Sequence, residues 1–176
     1  MISREEALIL LKVENVPDNV MKHTLMVNKI ANYIADEMVA MDIDVDLELV
    51  DVGSLLHDVG RGRSHKGHTE IGVEIMEELE ENEIARIVKS HSMDCFTADF
   101  GIEDKIVHYA DKRVKHDEIV SLDDRMNDLM ERYPHNVDNF NTVWPKLRAF
   151  EDDIFEIIGE EKGSLVCKQG TYVLPN

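Results

Sequence analysis

Cysteine, tryptophan and positive charge are all scarce in this chain. Cys95 and Cys167 are the two cysteines among 176 residues, far apart and in no CxxC pair. That excludes a disulfide framework and a zinc ribbon, and it suits a reducing compartment. Lysine and arginine total 19 against 37 acids, a net charge of −18. So acidic a surface repels phosphate backbones and anionic headgroups, which argues against nucleic-acid binding and against membrane docking. A small anionic substrate stays open, because salt screens distant charge within about 8 Å. No apolar run approaches the roughly 18 residues that span a bilayer. The start, Met1 to Glu6, lacks the basic-then-apolar order of a signal peptide. The expectation is a soluble, cytoplasmic protein.

What is present is helical signal. At roughly 150 residues per domain, the length suggests one domain with an extension, and 43% hydrophobic residues is a globular share. Ser3 with Glu6 forms a capping box that opens a first helix. Pro17-Asp18 starts a second helix, running to about Met38. Further helices are expected over 46–57, 68–79, 83–90 and 103–114. Ser121 with Asp124 caps another that runs to about Arg132. A last helix begins near Asn139 or Pro145 and ends at Ile158 before Gly159. The tail from Leu165 to Leu174 reads as a small hairpin or a strap. The fold class expected is all-α, with residues 1–115 as the main domain and 116–176 as a helical extension packed on it.

Several titratable side chains fall on apolar faces. Val20, His23, Val27, Ile30 and Ile34 share one helical face. Ile84, Ile87, Val88 and His91 share another, and His68 aligns with Ile71, Ile75 and Leu79. Asp111 sits between Val107 and Val114, and His57-Asp58 closes the apolar stretch from Leu49. A single inward histidine is usually a satisfied core residue. An inward carboxylate without partners costs several kcal/mol, so it is nearly always paired or bound to metal. Four such histidines and two such aspartates on five helices share one economical explanation: they converge on metal. Imidazole and carboxylate suit zinc, iron, manganese, nickel or cobalt. His65 competes with His68 as a ligand, but the apolar periodicity starts at His68. His108, one turn before Asp111, could orient that carboxylate or face another helix. His116 and His135 read as surface residues.

The order His23, His57-Asp58, His68, His91, Asp111 resembles the HD superfamily of metal-dependent phosphohydrolases. Leu55-Leu56-His57-Asp58-Val59-Gly60-Arg61 is similar to its signature, Gly67-His68-Thr69-Glu70-Ile71-Gly72 to its next helix, and Tyr109-Ala110-Asp111-Lys112 to its closing segment. The resemblance spans about residues 20–115. It implies a helical bundle in which His23, His57, Asp58 and Asp111 bind one ion. His68 and His91 match the added ligands of a binuclear branch that includes diadenosine tetraphosphate hydrolases, with Asp58 as the bridge.

Such a site is expected to hydrolyse a phosphoester or phosphoanhydride of a nucleotide or dinucleotide. Two ions would acidify a bound water so that a metal-bound hydroxide attacks, with His57 and Asp58 at the catalytic centre. Arg61, Arg63 and Lys112 are the expected phosphate contacts, with Lys66 and Arg113 as lesser candidates. The same six ligands also occur in mixed-valence di-iron oxygenases, which is the alternative reading. A non-catalytic nucleotide sensor is the third.

Overall fold

The computed structural model describes residues 1–92, 96–97, 99–162 and 165. The hairpin or strap expected over 165–174 therefore lies outside the described residues, apart from Leu165, as do both cysteines. Helix α1 (Arg4–Val13) begins with the anticipated capping box: Ser3 N donates to Glu6 Oε2 at 2.8 Å and Glu6 N to Ser3 Oγ at 3.3 Å. Helix α2 (Asp18–Ala40) is the long central element and buries Val27, Ile30, Ala31, Ile34, Ala35 and Met38 along one stripe. Helix α3 (Leu47–Leu56) is apolar almost all round, so it belongs inside the bundle. Its Asp46 cap accepts from Leu49 N at 2.9 Å.

Two polar side chains set the register of α2 against α3. Asn28 donates to Ser54 Oγ at 2.8 Å and to the Asp51 carbonyl at 2.9 Å, and Asn32 donates to Asp51 Oδ1 at 2.6 Å. After α3 the chain enters a short 3₁₀ turn, Val59–Gly62. A Cβ at Gly60 would stand 2.0 Å from the His68 carbonyl oxygen, so only glycine lets the turn lie this close to the next helix. Helix α4 (His68–Glu78) follows, then α5 (Asn82–Ser90) and α6 (Ile102–Lys112).

The sixth helix stops short of the expected Val114. Val114–Lys115 (β1) instead pairs antiparallel with Glu118–Ile119 (β2) in a minimal hairpin, with His116 at φ +59° in its turn. Helix α7 (Leu122–Arg132) starts at Ser121, whose Oγ accepts from Asp124 N at 3.0 Å. A 3₁₀ turn, Pro134–Asn136, leads into α8 (Val137–Ile158), which runs through Pro145 rather than starting there.

Helix α8 packs on α2 and α6 and brings in Phe140, Trp144 and Leu147, all buried. Tyr109 of α6 donates to Glu151 of α8 at 2.8 Å, and Arg113 meets the same carboxylate at 3.0 Å. Arg113 is thereby committed to the α6–α8 contact, away from the histidines. The architecture is all-α, as expected, with one small β hairpin among the described residues.

Candidate metal centre

Five helices deliver side chains to one point. His23 comes from α2, His57 and Asp58 from the end of α3, His68 from the start of α4, His91 from the end of α5 and Asp111 from α6. His57, Asp58, His91 and Asp111 are buried, while His23 and His68 face partly outward.

Each imidazole is anchored in the same way. His57 Nδ1 lies 2.7 Å from the Ser54 carbonyl, His68 Nδ1 3.3 Å from the His65 carbonyl and His23 Nδ1 3.0 Å from the His116 carbonyl. His91 Nδ1 contacts the Val88 carbonyl. A carbonyl only accepts, so each Nδ1 donates to it and each Nε2 is turned toward the other ligands. This is how protein metal sites fix the tautomer of an imidazole ligand.

The Nε2 atoms meet two carboxylates. His23 Nε2 lies 2.9 Å from Asp111 Oδ1, and His57 Nε2 lies 3.9 Å from both Asp111 Oδ1 and Asp58 Oδ2. On the other side, Asp58 Oδ1 stands 3.2 Å from His68 Nε2 and 3.5 Å from His91 Nε2. Two donor sets result, His23–His57–Asp58 and Asp58–His68–His91, each with its atoms within 4.8 Å of one another. Asp58 belongs to both. Donors at about 2.0–2.2 Å from an ion fall within roughly 4.4 Å of each other, so small side-chain rotations suffice to close either set.

Burial and charge support a cation here. His57 Nε2 and Asp58 Oδ1 are buried and lack a hydrogen-bond partner among the described residues. Such atoms are costly unless something satisfies them. Burial pushes His57 down to about 4, which keeps it neutral and able to ligate. Burial alone would push Asp58 up, but the imidazoles of His68 and His91 hold it well below the usual carboxylate range. Asp111 is likewise held down against burial, by the Lys112 ammonium and His23. Both carboxylates are therefore anionic at neutral pH.

The centre forms one wall of a cavity of about 660 Å³, lined also by Arg61, Lys66, Lys112, Arg125 and Arg132. Arg61 Nε donates to Asp58 Oδ2 at 2.7 Å and its NH1 lies 2.9 Å from His65 Nδ1. Arg61 therefore stands between the aspartate and the open space. Arg63 does not: it forms a bidentate pair with Glu14, at 2.6 and 2.9 Å, and leaves the cavity wall to others. The 3₁₀ turn explains this, since it rotates the two arginines to different sides. Lys112 lines the cavity but is nearly buried, with Nζ on Asp111 and on the His91 carbonyl.

His108 does not orient Asp111. Its Nδ1 donates to the Ser90 carbonyl at 2.8 Å, so it fixes the end of α5 that carries His91. His65 reaches Arg61, while His68 supplies Nε2 to the donor set. Sequence reasoning missed Arg125, Arg132, Tyr133 and the His116 carbonyl. Their polar, amphipathic context in 116–136 carries the signal of an ordinary solvated helix.

The HD domain family model matches residues 20–114, over half of the chain. An uncharacterized protein of Methanocaldococcus jannaschii is 33% identical over 148 residues, covering 75% of this chain and 87% of that protein. A tRNA (cytidine(56)-2'-O)-methyltransferase of Picrophilus torridus is 29% identical over 173 residues, covering 89% of this chain but 48% of the relative. The chain thus spans about half the length of that protein. Ribonuclease Y of Treponema denticola is 36% identical over 97 residues, 53% of this chain and 18% of that enzyme. No solved structure matches.

Proposed function

This chain belongs to the HD domain family, and from that premise we propose that it is a phosphohydrolase that uses two divalent ions to cleave a phosphoester or phosphoanhydride of a nucleotide or dinucleotide. The carrying observation is the pair of donor sets that share Asp58. His23, His57, Asp58 and Asp111 would hold one ion, with His68, His91 and the second oxygen of Asp58 holding the other. Manganese, iron, cobalt, nickel and zinc all suit these ligands.

When bound, divalent ions supply an acidified water near neutral pH and neutralise charge on phosphoryl oxygens. The rest falls to the chain. His57 and Asp58 fix the geometry from below, because both are buried and the imidazole is tied to the Ser54 carbonyl. Arg61 orients the shared carboxylate through Nε, meets His65 through NH1 and lines the cavity beside them. A planar guanidinium suits a phosphoryl group because it can donate two parallel bonds. The lining holds five lysines and arginines against two aspartates, Asp58 and Asp111, in a chain of net charge −18. That reversal of sign favours a small phosphorylated ligand drawn into a locally cationic space.

The test is phosphate release from mono- and dinucleotides with added manganese, cobalt or nickel. A short RNA belongs in the panel, since several relatives bear the name ribonuclease Y. Turnover that a chelator abolishes supports the reading. No release with any metal, combined with a mixed-valence iron signal in EPR after aerobic loading, would replace it with the oxygenase chemistry.

A further inference from the structure

The cavity has a second cationic wall that the metal centre does not use. It is built by α7, the turn after it and α8, from Arg125, Leu129, Arg132, Tyr133, Asn136 and Phe140. Its charge is organised around one carboxylate. Asp128 Oδ2 accepts from Arg125 NH1 at 3.0 Å and from Arg132, while Oδ1 pairs with Lys115 Nζ at 3.2 Å. Three cations on one carboxylate leave two positive charges in surplus within this cluster.

Arg125 is the unusual member. Its side chain is 10% exposed, and its Nε is buried with no hydrogen-bond partner among the described residues. A buried guanidinium donor without an acceptor is costly, and structural ion pairs rarely leave one so. Arg132 is more open, with its guanidinium 5.7 Å from the centre of the Tyr133 ring. That stacking restrains the fork while its outer edge stays available.

We propose that Arg125 and Arg132 bind a second, non-scissile phosphoryl group, so that the preferred substrate carries a condensed phosphate, as a nucleoside diphosphate or a larger polyphosphate does. The proposal rests on the phosphohydrolase reading for the place of the scissile group. Arg61 and the donor sets receive that group on one wall, and the α7 arginines receive the next along the chain on the other. A cavity of about 660 Å³ is of the size that small-ligand sites occupy. Asp128 positions both arginines rather than touching the ligand.

The test uses the full chain freed of metal by chelator, titrated calorimetrically at low salt with tripolyphosphate and with orthophosphate. Metal-free protein removes the ions' own attraction for phosphate and avoids sequestration of ions by the ligand, and the arginine variants single out the α7 wall. Tripolyphosphate is expected to bind at least tenfold more tightly than orthophosphate. Arg132→Gln, at a side chain 45% exposed, should weaken tripolyphosphate threefold or more. Arg125→Lys combined with it should bring the two affinities level. An affinity ratio that stays within twofold of wild type in Arg132→Gln would overturn the proposal. So would a short RNA that competes as well as tripolyphosphate per phosphate, because the site would then not favour condensed phosphate. Loss of metal-dependent turnover in the activity panel leaves these titrations unaffected, so the two readings fail separately.

Discussion

Lys112 Nζ donates to the backbone carbonyl of His91 at 3.1 Å. The same ammonium pairs with Asp111. One buried cation therefore ties the end of α5, which carries a ligand of one donor set, to the carboxylate that flanks the other. Its placement gives Lys112 a structural duty beside any contact with phosphate. Lys112→Met would leave a buried acceptor and a buried carboxylate without their partner. Breaking a buried pair from one side typically costs about 3–5 kcal/mol. Urea denaturation of metal-free protein should show a loss of that order, and a change below about 1 kcal/mol would mark Lys112 as a surface-like cation with no such duty.

Asp58 is the residue common to both donor sets. Asp58→Asn keeps the volume and removes the charge and one ligating oxygen. Metal per chain, read by elemental analysis after dialysis, is expected to fall to near zero, with turnover lost by more than the roughly 10–100-fold that removing an outer-shell partner of a ligand costs. Retention of one ion per chain would mean that the sets do not share this carboxylate.

Arg61 both orients Asp58 and faces the cavity. A hydrogen bond to a charged group contributes about 1.5–3 kcal/mol, so Arg61→Ala should raise KM about tenfold or more. Metal content should stay within a fifth of wild type, since Asp58 keeps its imidazole neighbours. An unchanged KM with lost metal would make Arg61 a support for the carboxylate alone.

Burial, aided by the nearby Lys112 charge, pushes His108 down to about 3. An unfolded histidine titrates near 6.5. Between these values the unfolded chain binds a proton that the folded chain refuses, so stability is full above about pH 6.5 and is lost as pH falls toward 3. His57, pushed down to about 4, adds to the loss in metal-free protein. The slope is at most about 1.4 kcal/mol per pH unit for each group. His108→Gln keeps a donor for the Ser90 carbonyl and removes the titration. From pH 7 to 5.2, metal-free variant protein should lose about 1.5 kcal/mol less than wild type. Equal losses would place the pH sensitivity elsewhere.

The periodic parts of the fold were legible in the sequence because helix faces repeat in register with burial. The helices from α2 to α7 run within about two residues of expectation, and His23, His57, Asp58, His68, His91 and Asp111 stand out because they interrupt or end apolar stripes. The structure brings those six together, across 88 positions between His23 and Asp111. Less periodic features stayed hidden. The β1–β2 hairpin is two residues per strand, too short for an alternating pattern, yet its His116 carbonyl fixes His23. The turn at Gly60 sends Arg61 and Arg63 apart, which adjacency in sequence does not reveal. Arg125 and Arg132 sit on a strongly polar helix, and only the packing of α7 and α8 shows that they share a cavity with the histidines.

The central claim is that two ions sit on either side of Asp58. An anomalous difference map from crystals soaked in manganese measures this most directly. Two peaks are expected about 3.5–4 Å apart, one against His23, His57 and Asp111 and one against His68 and His91. No peak among these side chains, or a single peak that leaves His68 and His91 without metal, would contradict it.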